Sequence, residues 1–316
     1  MPLLQTKGAA SSQGFGLISG GSGDGTVGIF ALGGGTTTRN KYTYATCAST
    51  ASGVATSSAS SRLGAAAGNS TRGIFALGNS SGSPSTIRNK YTYATCTSTA
   101  SGVAAATANS CSGSAAGNST RGIFALGYWL GGEIRTDKYT YATCTSTAGT
   151  SFCVSSCING SSAAGDSTRG IFARGSSTAT RFKYTYATCT IASAGSASAI
   201  NRLGSAAGNS TRGIFALGVV GSCCASYSVT RNKYTYATDS SAAAACASVI
   251  SGAGAATGNS TRGIFALGIT GIIPNPSTTR NKYTYATCTS TACGVAASSA
   301  NSQGGSAASW AVCVNS

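Results

Sequence analysis

The chain has no histidine, only five acidic residues and four prolines in 316 positions, one methionine and two tryptophans. Without histidine, the commonest general base near neutral pH and the commonest neutral metal ligand are both missing. The five carboxylates, Asp24, Glu133, Asp137, Asp166 and Asp239, fall at unrelated positions. A hydrolase built on paired carboxylates, or an oxygen-rich calcium cage, needs acids brought together at a set spacing, so neither is expected. The protein is read as a non-enzyme with no catalytic residue, no metal site and no cofactor. No apolar run reaches the roughly 18–20 residues that span a bilayer. The opening MPLLQTKGAASSQGFGLISGG has no charged segment leading into a long apolar one, so neither a membrane span nor a secretory signal is expected.

What the sequence does have is repetition. GNSTRGIFALG stands letter for letter at Gly68, Gly117, Gly208 and Gly258, with imperfect copies VGIFALG from Val27 and GDSTRGIFARG from Gly165. The Gly-Ile-Phe step therefore recurs at Gly28, Gly73, Gly122, Gly170, Gly213 and Gly263, at intervals of 43 to 50 residues. KYTYAT keeps step with it, starting at Lys41, Lys90, Lys138, Lys183, Lys233 and Lys282. A catalytic phrase needs to occur once, whereas a phrase at a fixed period is a structural module. The chain is read as one repeat domain over residues 1–316.

In RGIFALG, alternate side chains point to opposite faces, and both faces are apolar, as in a strand buried on two sides. KYTYAT has β-branched and aromatic residues at period two, with Tyr91 and Tyr93 on one face and Lys90 and Thr92 on the other. Between the two phrases lie variable, Gly- and Pro-containing segments such as GGGTTT, NSSGSPSTI, YWLGGEI and ITGIIPNPSTT, which read as projecting loops. After KYTYAT come a low-bulk stretch and then GSAAGNS, read as two weaker strands. Four short strands in about 48 residues, with no helical period, fit a β-propeller blade. Six repeats imply an all-β, six-bladed β-propeller, with an open β-solenoid as the alternative. Phe30, Phe75, Phe124, Phe172, Phe215 and Phe265 are the expected core rings. The terminal segments, 14–21 and 304–314, are expected to close the ring.

The cadence of STRGIFALG, a variable loop, KYTYATC and an Ala/Ser-rich stretch resembles tandem repeats of tail-fibre and other virion structural proteins of tailed bacteriophages, themselves similar to kelch propellers. The double glycine of kelch is reduced here to Leu77-Gly78 and its equivalents. The resemblance implies a structural or adhesive component of a bacteriophage-like particle, located in the virion or otherwise extracellular. Its implied partners are other virion proteins, further copies of itself, or anionic or neutral cell-surface glycans. The alternatives are a free-standing, lectin-like glycan-binding propeller and a scaffold of a bacterial extracellular assembly.

Net charge is +16, from 21 Lys and Arg against five acids. Even with every acid paired, most cations lack a partner, which favours an anionic ligand. Seventeen of them occupy three phases of the repeat. Those before GIF (Arg72, Arg121, Arg169, Arg212, Arg262) are given a structural role. Those flanking the Tyr strand are the candidates for an exposed anion-contacting ring: Arg39, Lys41, Arg88, Lys90, Lys138, Lys183, Arg231, Lys233, Arg280 and Lys282. The charge is spread over every repeat and no reader motif is present, so nucleic acid is not the expected partner. The most distinctive insertion, Tyr128, Trp129 and Leu130 with Glu133 nearby, is the candidate recognition loop.

Of thirteen cysteines, Cys47, Cys96, Cys144, Cys189 and Cys288 share one phase, directly after KYTYAT, with Asp239 in the sixth copy. They are expected to act as small buried hydrophobes. Disulfides within a blade, Cys288 to Cys293 or Cys144 to Cys153, are sequence-near candidates. Zinc is disfavoured because no CxxC spacing occurs. The Asn-Ser-Thr of each verbatim copy reads as turn chemistry.

Overall fold

The structure is a computed structural model that describes residues 10–11, 16–19, 27–31, 39–51, 64–76, 79–80, 83–84, 86–100, 113–125, 136–150, 161–173, 175, 178–220, 226–252, 254–266, 268–270 and 275–293. Six antiparallel sheets account for most of them. Blade 1 consists of Gly16–Ser19, Val27–Ala31, Arg39–Thr43 and Ala48–Ala51. Blade 2 consists of Ala65–Gly68, Arg72–Ala76, Arg88–Thr92 and Thr97–Ala100. Blades 3 and 4 follow as Ser114–Gly117, Arg121–Ala125, Thr136–Thr140, Thr145–Ala148, and Ser162–Gly165, Arg169–Ala173, Arg181–Thr185, Thr190–Ala194. Blade 5 is Ser205–Gly208, Arg212–Ala216, Arg231–Thr235 and Ser240–Ala244. Blade 6 is Ala255–Gly258, Arg262–Ala266, Arg280–Thr284 and Thr289–Ala292.

Within each blade the chain runs outward from the axis. The innermost strand is the Ser/Ala-Ala-Ala-Gly segment, and RGIFA comes second, the Tyr strand third and the Thr/Ser/Ala strand outermost. RGIFA is thus not the inner strand of the blade, and the segment read as a weak fourth strand is in fact the first. Crowding at the axis explains this order. Each innermost strand lies beside those of both neighbouring blades, with blade 6 beside blade 1, and the Ala, Ser and Gly that dominate blades 2 to 6 suit that approach.

The glycine of the GIF step serves the same closeness. A Cβ on Gly122 would stand 2.9 Å from the Ala67 Cβ of blade 2 and 2.9 Å from Tyr141 Oη. The equivalent glycines of blades 4, 5 and 6 face Ala116, Ala164 and Ala207 in the same way.

The core lies in the seams between blades. Ile74 and Ala76 of blade 2 pack with Phe124, Tyr139 and Tyr141 of blade 3. Ile29 of blade 1 meets Phe75, Tyr91 and Tyr93 of blade 2. All six expected core phenylalanines are buried. Blade 6 seals against blade 1 in the same manner, Ile264 packing with Phe30, Tyr42 and Tyr44, so the ring is closed and an open solenoid is excluded. Blade 1 draws all four strands from residues 16–51, with Gly16–Ser19 as its innermost strand. Among the described residues the last seam closes through side chains, and residues 304–314, expected to take part in closure, lie outside the described residues. The short strand Ala10–Ser11 pairs with Ser162–Gly165 and lies within 8 Å, Cα to Cα, of all six innermost strands, which places it on the axis.

Candidate functional site

The up-and-down course of each blade sorts its connections by end. The turns from first to second strand (Asn-Ser-Thr) and from third to fourth (Tyr-Ala-Thr-Cys) emerge at one end of the ring, and these are the segments repeated almost unchanged. The connections from second to third strand, and from each blade to the next, emerge at the other end. These are the segments that differ from copy to copy. The ring thus has a fixed end and a variable end.

The fixed end is held by local chemistry. Asn118 Oδ1 accepts from the backbone N–H groups of Thr120 and Arg121, each at 3.0 Å, and from Thr120 Oγ1, while its Nδ2 donates to Ser167 O of the next blade at 3.1 Å. Asn69 and Asn209 repeat the whole arrangement, and Asp166 repeats the turn. The Asn-Ser-Thr phrase is therefore an Asx turn that also reaches across a seam.

The variable end of five of the six seams holds an arginine latch, and here the structure corrects the expected anion-contacting ring. Arg39, Arg88, Arg231 and Arg280 are at most 2 % exposed, as is Arg181. Each reaches forward into the next blade and lays its guanidinium on a core phenylalanine: Arg39 on Phe75 at 4.4 Å, Arg88 on Phe124 at 4.5 Å, Arg231 on Phe265 at 4.3 Å, Arg280 on Phe30 at 4.5 Å. Each also donates to a serine and to the residue beside the lysine: Arg39 to Ser98 and Asn89, Arg231 to Ser290 and Asn281, Arg280 to Ser49 and Asn40. Arg88 instead meets Asp137 Oδ2 at 3.0 Å, both side chains fully buried.

A planar, weakly hydrated cation that stacks and forks at once suits such a site, which an ammonium would not. Burial pulls the Arg39, Arg181, Arg231 and Arg280 guanidiniums down to about 10. They remain charged at neutral pH, locked inside the ring and out of reach of an external anion.

The seam between blades 3 and 4 lacks the latch. Thr136 stands where the arginine would, and the position it would address is Phe182. Cation and acceptor are absent together. Arg135 precedes that position and lies outside the described residues.

Lys41, Lys90, Lys138, Lys183, Lys233 and Lys282 are half-buried at every repeat, so these remain open to solvent. Of the carboxylates, Asp137 pairs with Arg88, Asp166 caps its turn and Asp239 pairs with Lys183, while Asp24 and Glu133 lie outside the described residues. No group of three His, Cys, Asp or Glu that could hold a metal is found among the described residues.

The repeat-phase cysteines, expected as small buried hydrophobes, are half-buried and pack against the apolar seam clusters. Cys47, Cys96, Cys144, Cys189 and Cys288 also sit at φ 52–56° in the left-handed region. The arginine before GIF of the preceding blade reaches four of them. Arg72 Nη1 donates to Tyr141 O at 3.0 Å and lies 3.3 Å from Cys144 Sγ, and Arg121, Arg212 and Arg262 repeat this on blades 4, 6 and 1. The structural role expected for these arginines is thus their observed one. Cys288 and Cys293 stand as separate thiols, the latter 3.1 Å from Tyr42 Oη. Cys153 lies outside the described residues.

The candidate recognition loop, Tyr128, Trp129, Leu130 and Glu133, also lies outside the described residues. Its ends do not: the chain leaves at Ala125 and returns at Thr136, both at the variable end. The large apolar side chains exposed among the described residues, Ile87, Ile200, Val249 and Ile250, belong to that end as well, each just before a strand that starts there or in a connection between blades. Composition could not reveal this clustering, because it depends on which end each loop leaves.

Six radial four-stranded antiparallel sheets, closed through six equivalent seams, define a six-bladed β-propeller. Among solved structures the chain is similar to one described as the structure of YjhT, with 11 % identity, a TM-score of 0.62, and coverage of 88 % of this chain and 97 % of that one. At that identity the likeness concerns the fold alone. No family model and no curated protein matches the sequence.

Proposed function

We propose that the protein is a non-enzymatic structural or adhesive component of a bacteriophage-like particle, and that it meets its partner through the variable end of the ring. The observation that carries this reading is the separation of fixed and varying sequence. The Tyr-Ala-Thr turn stands in all six copies and the Asn/Asp-Ser-Thr turn and the arginine latch in five, while the segments that differ emerge together at the opposite end, along with the exposed Ile87, Ile200, Val249 and Ile250. A rigid scaffold that displays dissimilar loops is the usual arrangement of a recognition surface. The axis is a poorer candidate for a binding site, since Ala10–Ser11 occupies it. The particle context rests on the resemblance of the repeat to virion propellers. The buried arginines do not contribute to an anion surface, which leaves the lysines and the fixed-end arginines as its cations.

The test is binding of the labelled protein to intact cells and extracted envelope glycans at low and high salt, beside a variant whose 128–133 loop is replaced by Gly and Ser. Saturable binding that survives salt and falls in the variant is the expected result. Binding that salt abolishes and the variant keeps would reduce the interaction to nonspecific attraction by surface cations. No binding in either form would overturn the adhesive role and leave an architectural one.

A further inference from the structure

The six Tyr-Ala-Thr turns, five followed by cysteine and one by aspartate, hold a side-chain cluster that neither the fold nor the proposed binding end requires. In blade 5 its composition is plain, because the cysteine is replaced by Asp239. That carboxylate is paired with Lys183 Nζ, lies 3.5 Å from Arg169 Nη1 and accepts from Tyr234 Oη at 2.9 Å. Lysine and arginine come from blade 4, the tyrosine from blade 5. The niche is therefore built around an anion.

The same groups surround the cysteines. Cys47 faces Tyr42 on its own blade and Arg262 and Lys282 from blade 6, with Arg262 Nη1 at 3.6 Å from Sγ. Cys293 approaches the same tyrosine. Cys144 and Cys288 each have an arginine Nη1 3.3 Å from sulfur. The backbone adds a second indication. Each cysteine occupies a left-handed φ that glycine or asparagine takes more easily, yet the residues found there are five cysteines and one aspartate. What those two side chains share is the ability to ionise.

We infer that the niches of Cys47, Cys144 and Cys288 are sites of covalent modification, in which the thiol donates to the carbonyl of the tyrosine three residues before it and has the arginine of the preceding blade at its sulfur, and from which it reacts, through the thiolate formed on proton loss, with peroxides and other soft electrophiles. With hydrogen peroxide, the thiolate sulfur attacks one oxygen. The S–O bond forms as the O–O bond breaks, hydroxide leaves and takes a proton from solvent, and sulfur is oxidised by two electrons to sulfenic acid. With an alkyl halide, the S–C bond forms as halide departs. Neighbouring cations lower a thiol pKa and so raise its thiolate fraction. At Cys47, the tyrosine hydrogen bond and the Arg262 and Lys282 charges outweigh burial and hold the thiol below its ordinary value.

The ring contains its own control. Blade 1 has Val27 where the other blades have arginine, and Val27 packs against the cluster that Cys96 joins. Cys96 therefore has the tyrosine of its blade but no arginine at its sulfur. Cys246, exposed and outside these turns, is a second reference thiol.

The test is brief alkylation of the native chain with iodoacetamide at neutral pH, beside the same chain unfolded in urea, followed by digestion and mass spectrometry of each cysteine. Folding restricts access and by that alone can only slow a thiol, so acceleration in the folded chain reports the niche. The expected result is that Cys47, Cys144 and Cys288 react faster folded than unfolded while Cys96 does not. Trapping of sulfenic acid after peroxide should follow the same order. Equal or slower reaction of all three in the folded chain would overturn the inference. In the variants, Arg262→Gln should slow Cys47 alone, and Val27→Arg should speed Cys96. If neither folds, the comparison within the unaltered chain still decides the matter.

Discussion

Tyr44 and its five counterparts show how much a single hydroxyl can matter in this ring. Each directly follows a Tyr strand and is buried, and Tyr44, Tyr141, Tyr186, Tyr236 and Tyr285 aim their Oη at the glycines near the axis. Tyr44 Oη has a partner in Thr257 Oγ1 of blade 6. Tyr141, Tyr186, Tyr236 and Tyr285 face alanine at the matching position and have no hydrogen-bond partner among the described residues. A buried hydroxyl left unpaired costs free energy that one acceptor can recover. Ala207→Thr, which would copy the blade 6 arrangement beside Tyr285, should raise stability by about 1 kcal/mol in denaturant unfolding. Removing a core ring acts in the other direction. Phe75 and Phe124 are fully buried and each carries an arginine on its face, so Phe124→Ala should cost about 3–5 kcal/mol. Unchanged unfolding in that variant would contradict the packing of the seam.

Between blades, the unit that matters is the pair of facing strands with its latch. Asn40, Asn89, Asn232 and Asn281 receive four of the latch arginines and Asp137 the fifth. Asp137→Ala leaves Arg88 charged, buried and without its anion, and should destabilise by about 3–5 kcal/mol. Asp137→Asn only restores what the other latched seams use and should lose much less, a difference that equilibrium unfolding of the two variants would show. Asp239 tests the niche by pH. Burial pushes its carboxyl up, but the hydrogen bonds from Lys183 and Tyr234 and the charges of Lys183 and Arg169 outweigh this and hold it below its usual value of 3.8. A carboxyl lowered on folding stabilises above its unfolded pKa, and that contribution disappears as pH falls through the folded value. Asp239→Asn should therefore flatten the loss of stability below about pH 4 and leave the neutral-to-alkaline limb unchanged.

Over the whole ring, the alkaline limb belongs to the tyrosines. Burial raises both tyrosines of every KYTYAT, Tyr283 to about 12 and the others further. An acid whose pKa is raised on folding stabilises below its unfolded value and loses that contribution as pH climbs past it, because the unfolded chain ionises first. Stability should therefore fall steeply above about pH 10, and tyrosinate absorbance should rise in one step together with the loss of β-structure. Stepwise ionisation while the fold persists would show that the seams are open to hydroxide.

The period, the strand phrases and the six core phenylalanines could be read directly along the chain, because alternation and repetition are properties of neighbours in sequence. The number of blades followed from counting them. Three matters depended on residues about 50 positions apart meeting across a seam. One was the order of strands, set by which segment is small enough to crowd the axis. Another was the fate of Arg39, Arg88, Arg231 and Arg280, which looked like part of a surface ring and prove to be stacked on phenylalanines of the next blade. The last was the setting of the cysteines: equal phase implied equal surroundings, but the lysine and arginine that define those surroundings belong to the preceding blade. An antiparallel blade fixes its own pairing, while the chemistry at its edges is fixed by its neighbour, and that neighbour is supplied only when the ring closes.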